Sequence, residues 1–264
     1  MEVCVLASGS NGNAIFVRSV STGVSILLDC GISRRQICQR LIRVGKSLNE
    51  VNGIFITHEH SDHIKGLEII SKYDAIPVYL TQGTYYGIKR RFRVNESLIN
   101  IIQRNQWLEI KDVRIKTIPK SHDAIEPVAF TICINEQRLL YATDFGRPNP
   151  DLIEEIQQAN VILLETNYDP LMLDQGFYPD KLKQRIRSPY GHMSNVQSAE
   201  LIRDHASPHL SHLILGHLSE NNNLPHLAEQ EILQVLNERE DLNPQLIVAS
   251  RYEGGDLIEI GINP

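Results

Sequence analysis

His58-Glu59-His60-Ser61-Asp62-His63 follows an apolar run, Gly53-Ile-Phe-Ile-Thr57, and precedes a helical pattern that starts near Asp62. No other stretch constrains the fold so much. Four side chains of metal-ligand type at one strand-to-helix turn require a fold that carries further donors to the same place. Alternate residues of an extended segment point the same way, which puts His58 and His60 on one ion. Asp62 and His63, consecutive at the helix start, point elsewhere and serve a second ion. An exposed polar turn is the plain alternative. With 10 His in 264 residues, three of them beside an Asp at this spacing are too improbable a coincidence to favour it.

Two ions need more donors than these four. His122, in Pro119-Lys-Ser-His122-Asp123, ends an apolar run and supplies a third imidazole to the first ion. Asp144, in Leu139-Leu-Tyr-Ala-Thr-Asp144, also ends a run, and a carboxylate is the side chain that can bridge two cations. His217, in Leu213-Ile-Leu-Gly-His217, completes the second ion. Short β-branched runs of this kind recur from Val3–Ala7 to Leu257–Ile260 and predict strands. Between them, the capping boxes Ser33-x-x-Gln36 and Ser194-x-x-Gln197 open helices, and Gly45 closes the first. Patterns over Asp62–Tyr73 and Pro225–Glu240 predict two more. Strands and helices mix in both halves, with no repeat or linker, so one α/β domain over residues 1–264 is expected. The pattern suits two sheets packed face to face with helices outside, an αββα sandwich, although periodicity alone also admits a doubly wound sheet.

Charge bears on the partner. Lys and Arg number 26 against 32 Asp and Glu, a net of −6, so no general field attracts a polyanion and any grip must come from metal or a local patch. Three basic clusters, Arg34-Arg35, Lys89-Arg90-Arg91 with Arg93, and Lys181 to Arg187, read as solvated faces or helix tails. Trp107 and Tyr85-Tyr86 read as core or rim packing, and His205, His209, His212 and His226 as surface or helix-end histidines. Cys4, Cys30, Cys38 and Cys133 show no paired spacing, which predicts neither a disulfide framework nor a zinc ribbon and suits a reduced, cytoplasmic setting. Apolar runs are far shorter than the ~20 residues of a membrane span, and the first residues lack the pattern of a signal peptide. The loop Ser8-Gly-Ser-Asn-Gly-Asn13 offers small residues and backbone N–H groups that a phosphate could approach, with Ser8, Ser10, Asn11 and Asn13 as candidate contacts.

The hexad, Asp29 in Leu27-Leu-Asp-Cys-Gly31, His122, Asp144 and His217, in this order, resemble the metallo-β-lactamase superfamily across nearly the whole chain. The resemblance implies the αββα fold and a dinuclear site at the sandwich edge. His58, His60, His122 and Asp144 would hold one ion, Asp62, His63, Asp144 and His217 the other, and Asp29 would brace the hexad loop from behind. Leu6–Asn13, Leu27–Gly31, Pro189–Asn195 and Leu215–Asn222 look like the YycJ/WalJ-type branch, whose members are regarded as bacterial DNA exonucleases acting from 5′ ends. Ser194, Asn221 and Asn222, within those segments, join the candidate substrate contacts. The chain departs from that branch at Glu220, where an Arg is expected.

Glu165, in Leu163-Leu-Glu165-Thr-Asn167, and His192 resemble the Glu–His pair of the phosphodiesterase branches, in which a histidinium tuned by a carboxylate protonates the departing alkoxide. The resemblance therefore implies a nuclease with Asp62, Glu165 and His192 in catalysis, acting on DNA ends or single strands. Nitrogen and oxygen donors without thiolate fit Zn2+, Mn2+ or Fe2+ alike. Residues 145–191 are too few for an inserted substrate-clamping domain. A thioester or other small-molecule hydrolase of the same superfamily is the runner-up, and a non-catalytic metal-stabilised binding module the third reading. The oligomeric state is open, a dimer included.

Overall fold

The computed structural model describes residues 1–261. Among them, one sheet contains β1 (Glu2–Ala7), β2 (Ala14–Arg18), β3 (Ser25–Leu28), β4 (Val51–Phe55), β5 (Val78–Thr81) and β6 (Ile99–Ile102). The other runs from β7 (Trp107–Ile110) through β8 (Val113–Pro119), β9 (Val128–Ile134), β10 (Gln137–Ala142), β11 (Val161–Glu165) and β12 (His212–Gly216) to β13 (Gln245–Val248). A last strand, β14 (Ile258–Glu259), returns to pair antiparallel with β1. The orders are β14-β1-β2-β3-β4-β5-β6 and β13-β12-β11-β10-β9-β8-β7. Both sheets are mixed: β3 to β6 and β10 to β13 run parallel, the rest antiparallel.

The period-2 alternation of a strand decides which layer each side chain enters. On β11, Val161 and Leu163 face the other sheet, whereas Ile162 and Leu164 face helices. On β2, Ile15 and Val17 point between the sheets, while Ala14 and Phe16 point out to the opposite helical layer. Three apolar layers result, one between the sheets and one outside each, which is the αββα sandwich. The outer helices are α1 (Arg34–Arg43), α2 (Ser61–Ile64), α3 (Leu67–Tyr73) and α4 (Gln82–Lys89) on the first half. On the second they are α5 (Pro150–Gln158), α6 (Pro170–Gln175), α7 (Asp180–Arg187), α8 (Asn195–His205) and α9 (Pro225–Glu238). Both capping boxes form, at Ser33 with Gln36 and at Ser194 with Gln197. No described helix is long and apolar enough to cross a membrane.

The helix expected over Asp62–Tyr73 is broken into α2 and α3. The backbone carbonyls that a continuous helix would use are taken elsewhere: Asp62 accepts from the Asn13 N–H at 2.7 Å, and His63 from the Cys30 N–H at 2.9 Å. Gly66 donates instead to Cys30, and a Cβ there would lie 2.4 Å from the Ile32 carbonyl oxygen. The break therefore ties the hexad to the start of β2 and the end of β3.

Candidate metal centre

Every donor singled out by the sequence follows the carboxyl end of a strand at one edge of the sandwich: Asp29 after β3, the hexad after β4, His122 after β8, Asp144 after β10, His217 after β12, with Glu165 closing β11. That is the usual place for a site in open parallel sheets. Three of these residues, Asp29, Asp144 and His217, have φ of 59°, 57° and 55°. A non-glycine residue held in this left-handed region costs on the order of 1–3 kcal/mol and persists only where its surroundings enforce it. Here the enforcement is visible. The His217 N–H donates to Ser8 Oγ at 2.8 Å, Lys120 Nζ donates to the Thr143 carbonyl at 2.7 Å, and the Phe145 N–H donates to Glu165 Oε2 at 3.0 Å.

Two groups of donor atoms converge. In the first, His58 Nε2 lies 3.1 Å from His60 Nδ1, and His122 Nε2 lies 3.3 Å from that same nitrogen. In the second, His63 Nε2 lies 3.1 Å from Asp144 Oδ2 and 3.5 Å from Asp62 Oδ2. His217 Nε2 lies 3.4 Å from Asp144 Oδ1 and 3.5 Å from Asp62 Oδ2. The Asp144 carboxylate stands between the groups, its Oδ1 also 3.8 Å from His122 Nε2. Ligand atoms around a tetrahedral ion with bonds of 2.0–2.1 Å are separated by about 3.4 Å, so both spacings fit a divalent cation.

Proton placement agrees. Thr57 Oγ1 lies 2.9 Å from His58 Nδ1, Asp29 Oδ2 2.7 Å from His63 Nδ1, Glu165 Oε1 2.9 Å from His217 Nδ1 and the Gly191 carbonyl 3.2 Å from His122 Nδ1. An oxygen acceptor at each Nδ1 favours the proton there and turns the Nε2 lone pair inward. The imidazole lone pairs of the first group, aimed at one point where burial disfavours protonation, repel unless a cation occupies it. Asp144 Oδ2 is buried and takes no hydrogen bond, as a carboxylate reserved for an ion would.

The groups differ electrostatically. Burial pushes His58 well below the usual imidazole range and takes His122 down to about 4. Burial acts the same way on His63 and His217, but Asp29, Asp144 and Asp62 outweigh it at His63, and Asp144, Asp62 and Glu165 raise His217 to about 10. Glu165 is fully buried, which favours its neutral form, yet His192 and His217 bring it down to about 2. Its Oε1 lies 2.7 Å from His192 Nδ1, so this one carboxylate braces both histidines. His192 keeps 22% of its side-chain surface exposed, at the mouth of the site.

Asp29 carries more than the expected brace. Its carboxylate accepts the Thr57 N–H at 2.8 Å, the Thr57 hydroxyl and the Tyr141 hydroxyl at 2.9 Å, besides facing His63. Thr57, Tyr141, Lys120 and Asn167, whose side-chain amide donates to the His217 carbonyl at 2.8 Å, were not singled out by the sequence. Thr57 alone gave a signal, as the residue directly before the hexad. The expected substrate contacts divide. Ser8, Asn13, Ser194 and Asn222 are buried. Ser8 holds His217, Asn13 bonds within its own loop and lies 3.2 Å from His63 Nε2, and Ser194 caps α8. Backbone groups of tight loops consume the side chains of Ser8, Asn13 and Ser194, whereas Asn222 Oδ1 is buried without a hydrogen-bond partner. Ser10, Asn11 and Asn221 are exposed; Asn11 bonds Glu220 Oε2 at 3.0 Å and Asn221 bonds the Tyr178 hydroxyl. Glu220, the residue that departs from the expected Arg, thus ties the Asn11 loop to Tyr252, whose hydroxyl it accepts at 3.1 Å.

A family model described as "Beta-lactamase superfamily domain" matches residues 25–218. The chain is 34% identical to the exodeoxyribonuclease YycJ of Bacillus anthracis over 90% of both chains. The chain belongs to the metallo-β-lactamase superfamily, in its YycJ/WalJ-type branch. The exodeoxyribonuclease WalJ of Streptococcus pneumoniae is 30% identical over 88% of this chain and 87% of its own. Among solved structures, Zn(2+)-bound PqqB from Methylobacterium extorquens superposes with a TM-score of 0.74 at 18% identity, covering 97% of this chain and 100% of that one. The metallo-β-lactamase fold protein YhfI of Bacillus subtilis gives 0.71 at 16%, covering 97% and 98%. At such identities the superpositions speak for the superfamily fold alone.

Proposed function

We propose that this chain is a metal-dependent DNA exonuclease, a single domain over residues 1–264 with no inserted clamp, acting from 5′ ends in the cytoplasm. The observation that carries the reading is the full-length similarity to chains named exodeoxyribonucleases, at 34% and 30% identity, together with a His/Asp cluster of dinuclear spacing. His58, His60 and His122 would hold one divalent ion and Asp62, His63 and His217 the other, with Asp144 between them. Zn2+, Mn2+ and Fe2+ all suit these donors. Such a pair of ions supplies Lewis acidity and charge neutralisation to phosphoryl transfer and makes water a nucleophile near neutral pH.

The chain's own residues supply the rest. Asp62, its carboxylate at the mouth and 21% exposed, orients the attacking water as well as holding an ion. His192 protonates the departing sugar oxygen. Glu165, kept ionised by its two histidine neighbours, fixes the His192 ring through Nδ1, leaves Nε2 toward the mouth and stabilises the imidazolium. His192→Ala should lower turnover on DNA by roughly 10²–10⁴-fold, the usual contribution of a general acid, with metal content unchanged. Hydrolysis of bis-p-nitrophenyl phosphate, whose leaving group needs little protonation, should fall far less. Equal losses on both substrates would refute the proton-donor role. Cutting of closed circular DNA as fast as linear DNA would refute an exonuclease.

A further inference from the structure

The basic cluster at the end of α4 is explained neither by the site nor by the fold. Lys89, Arg90, Arg91 and Arg93 are all exposed, and among the described residues none of them forms an ion pair with a carboxylate. The contrast with α7 is instructive, because there Arg185 pairs with Asp123 and Arg187 with Asp174. Lys89 instead lies over two aromatic rings, 5.2 Å from the centroid of Tyr85 and 5.0 Å from that of Tyr86. Tyr86 is about half exposed. Glu96 is the one acid close by in the chain, and it accepts the Tyr85 hydroxyl at 2.8 Å.

The helix that carries this cluster is fastened to the loops that deliver the first donor group. A Cβ at Gly87 would lie 2.4 Å from Cγ of Glu59, the residue between His58 and His60; one at Gly83 would lie 2.5 Å from Cβ of Glu126, four residues past His122. The Gly83 N–H donates to Glu126 Oε2, and the Ile125 N–H to Glu59 Oε1, both at 2.8 Å. Two glycines thus let α4 press directly on the ligand loops. Its cations therefore leave from the rim of the site, although the chain as a whole is anionic.

We infer that the end of α4 is the backbone track for the DNA strand beyond the scissile bond, with Lys89, Arg90, Arg91 and Arg93 on phosphates and Tyr86 under a base. The inference rests on the nuclease reading. Cations neutralise phosphates without regard to sequence, and an exposed ring stacks on any base, so the track grips a single strand nonspecifically.

The test is fluorescence anisotropy of a 3′-labelled 20-nucleotide single strand with cleavage-resistant phosphorothioate linkages on the metal-loaded chain, at several salt concentrations. Replacing Lys89, Arg90, Arg91 and Arg93 together by Ala should weaken binding by about 10–100-fold at low salt. The slope of log K against log salt should fall by about 3, near 0.7 for each lost phosphate contact. A variant with Arg90, Arg91 and Arg93 changed to Lys should keep most of both. Tyr86→Ala should lose about tenfold with the slope unchanged. Hydrolysis of bis-p-nitrophenyl phosphate by the metal-loaded Ala variant should match the parent, because so small a diester does not reach the track. Parental affinity and slope in the Ala variant would overturn the track, as would an equal loss in the Lys variant. A parent chain unable to hydrolyse bis-p-nitrophenyl phosphate with metal present would instead refute the nuclease reading.

Discussion

The two donor groups are built from similar side chains but braced differently. Behind the first stand neutral oxygens, the Thr57 hydroxyl on His58 and the Gly191 carbonyl on His122. Behind the second stand buried carboxylates, Asp29 on His63 and Glu165 on His217. A carboxylate raises the basicity of the imidazole it faces and adds negative charge near the ion. The second group also includes Asp62 and the nearer contacts to Asp144, so it should bind the more tightly held ion, while the first group, all imidazole, releases its ion earlier.

The largest effect that could break this comparison comes from the donors. His217→Ala and His58→Ala should each lower DNA hydrolysis by about 10⁴-fold or more, since members of one catalytic unit fail together. Their metal contents should part: His58→Ala keeps the tight ion, and His217→Ala loses it. Equal retention by both variants would erase the distinction. Next comes Asp29→Asn, which keeps the shape and removes the charge. It should weaken the tightly held ion by about 10–100-fold in a stepwise chelator titration and leave the weaker one nearly unmoved. A smaller effect is expected from Tyr141→Phe, which deletes one hydrogen bond to the Asp29 carboxylate. Urea unfolding should show a loss of about 1.5–3 kcal/mol, the range for bonds to charged groups. Ser194→Ala removes only the α8 cap and should cost about 1 kcal/mol by the same measurement, with metal content untouched.

How far the sequence could be read follows a similar division. The metal-type donors were legible because their chemistry is local: a hexad after a strand, and single His or Asp residues at later strand ends. Asp29 and Glu165 were legible through the family resemblance, but the Tyr141 hydroxyl on Asp29 and the second histidine on Glu165 were not: Asp29 and Tyr141 are 112 residues apart, and such partners meet only once two sheets are packed. Loop polarity alone does not tell a substrate contact from a structural one. Ser8 and Asn13 look like ligands for a substrate, and the buried side chain of each bonds the fold's own backbone. Helix α4 was missed because Gly83 and Gly87 lower its helix propensity, although those glycines permit its close approach to Glu126 and Glu59. Strands β6 and β7 were not among the expected strands: each is a four-residue sheet-edge strand whose apolar residues are interrupted by one polar residue, Asn100 or Glu109, and half of whose residues face solvent. The helix expected over Asp62–Tyr73 was read as continuous because nothing local shows that Asn13 and Cys30 take its carbonyls.

Shared use of Asp144 is the central claim about this site, and its most direct test is elemental analysis of the chain after chelation, reloading with a single metal and removal of excess. Two ions per chain are expected for the parent. Asp144→Ala should fall below one, because that carboxylate stands between both groups. A parent that saturates at one ion, with Asp144→Ala holding that ion unchanged, would contradict the dinuclear centre.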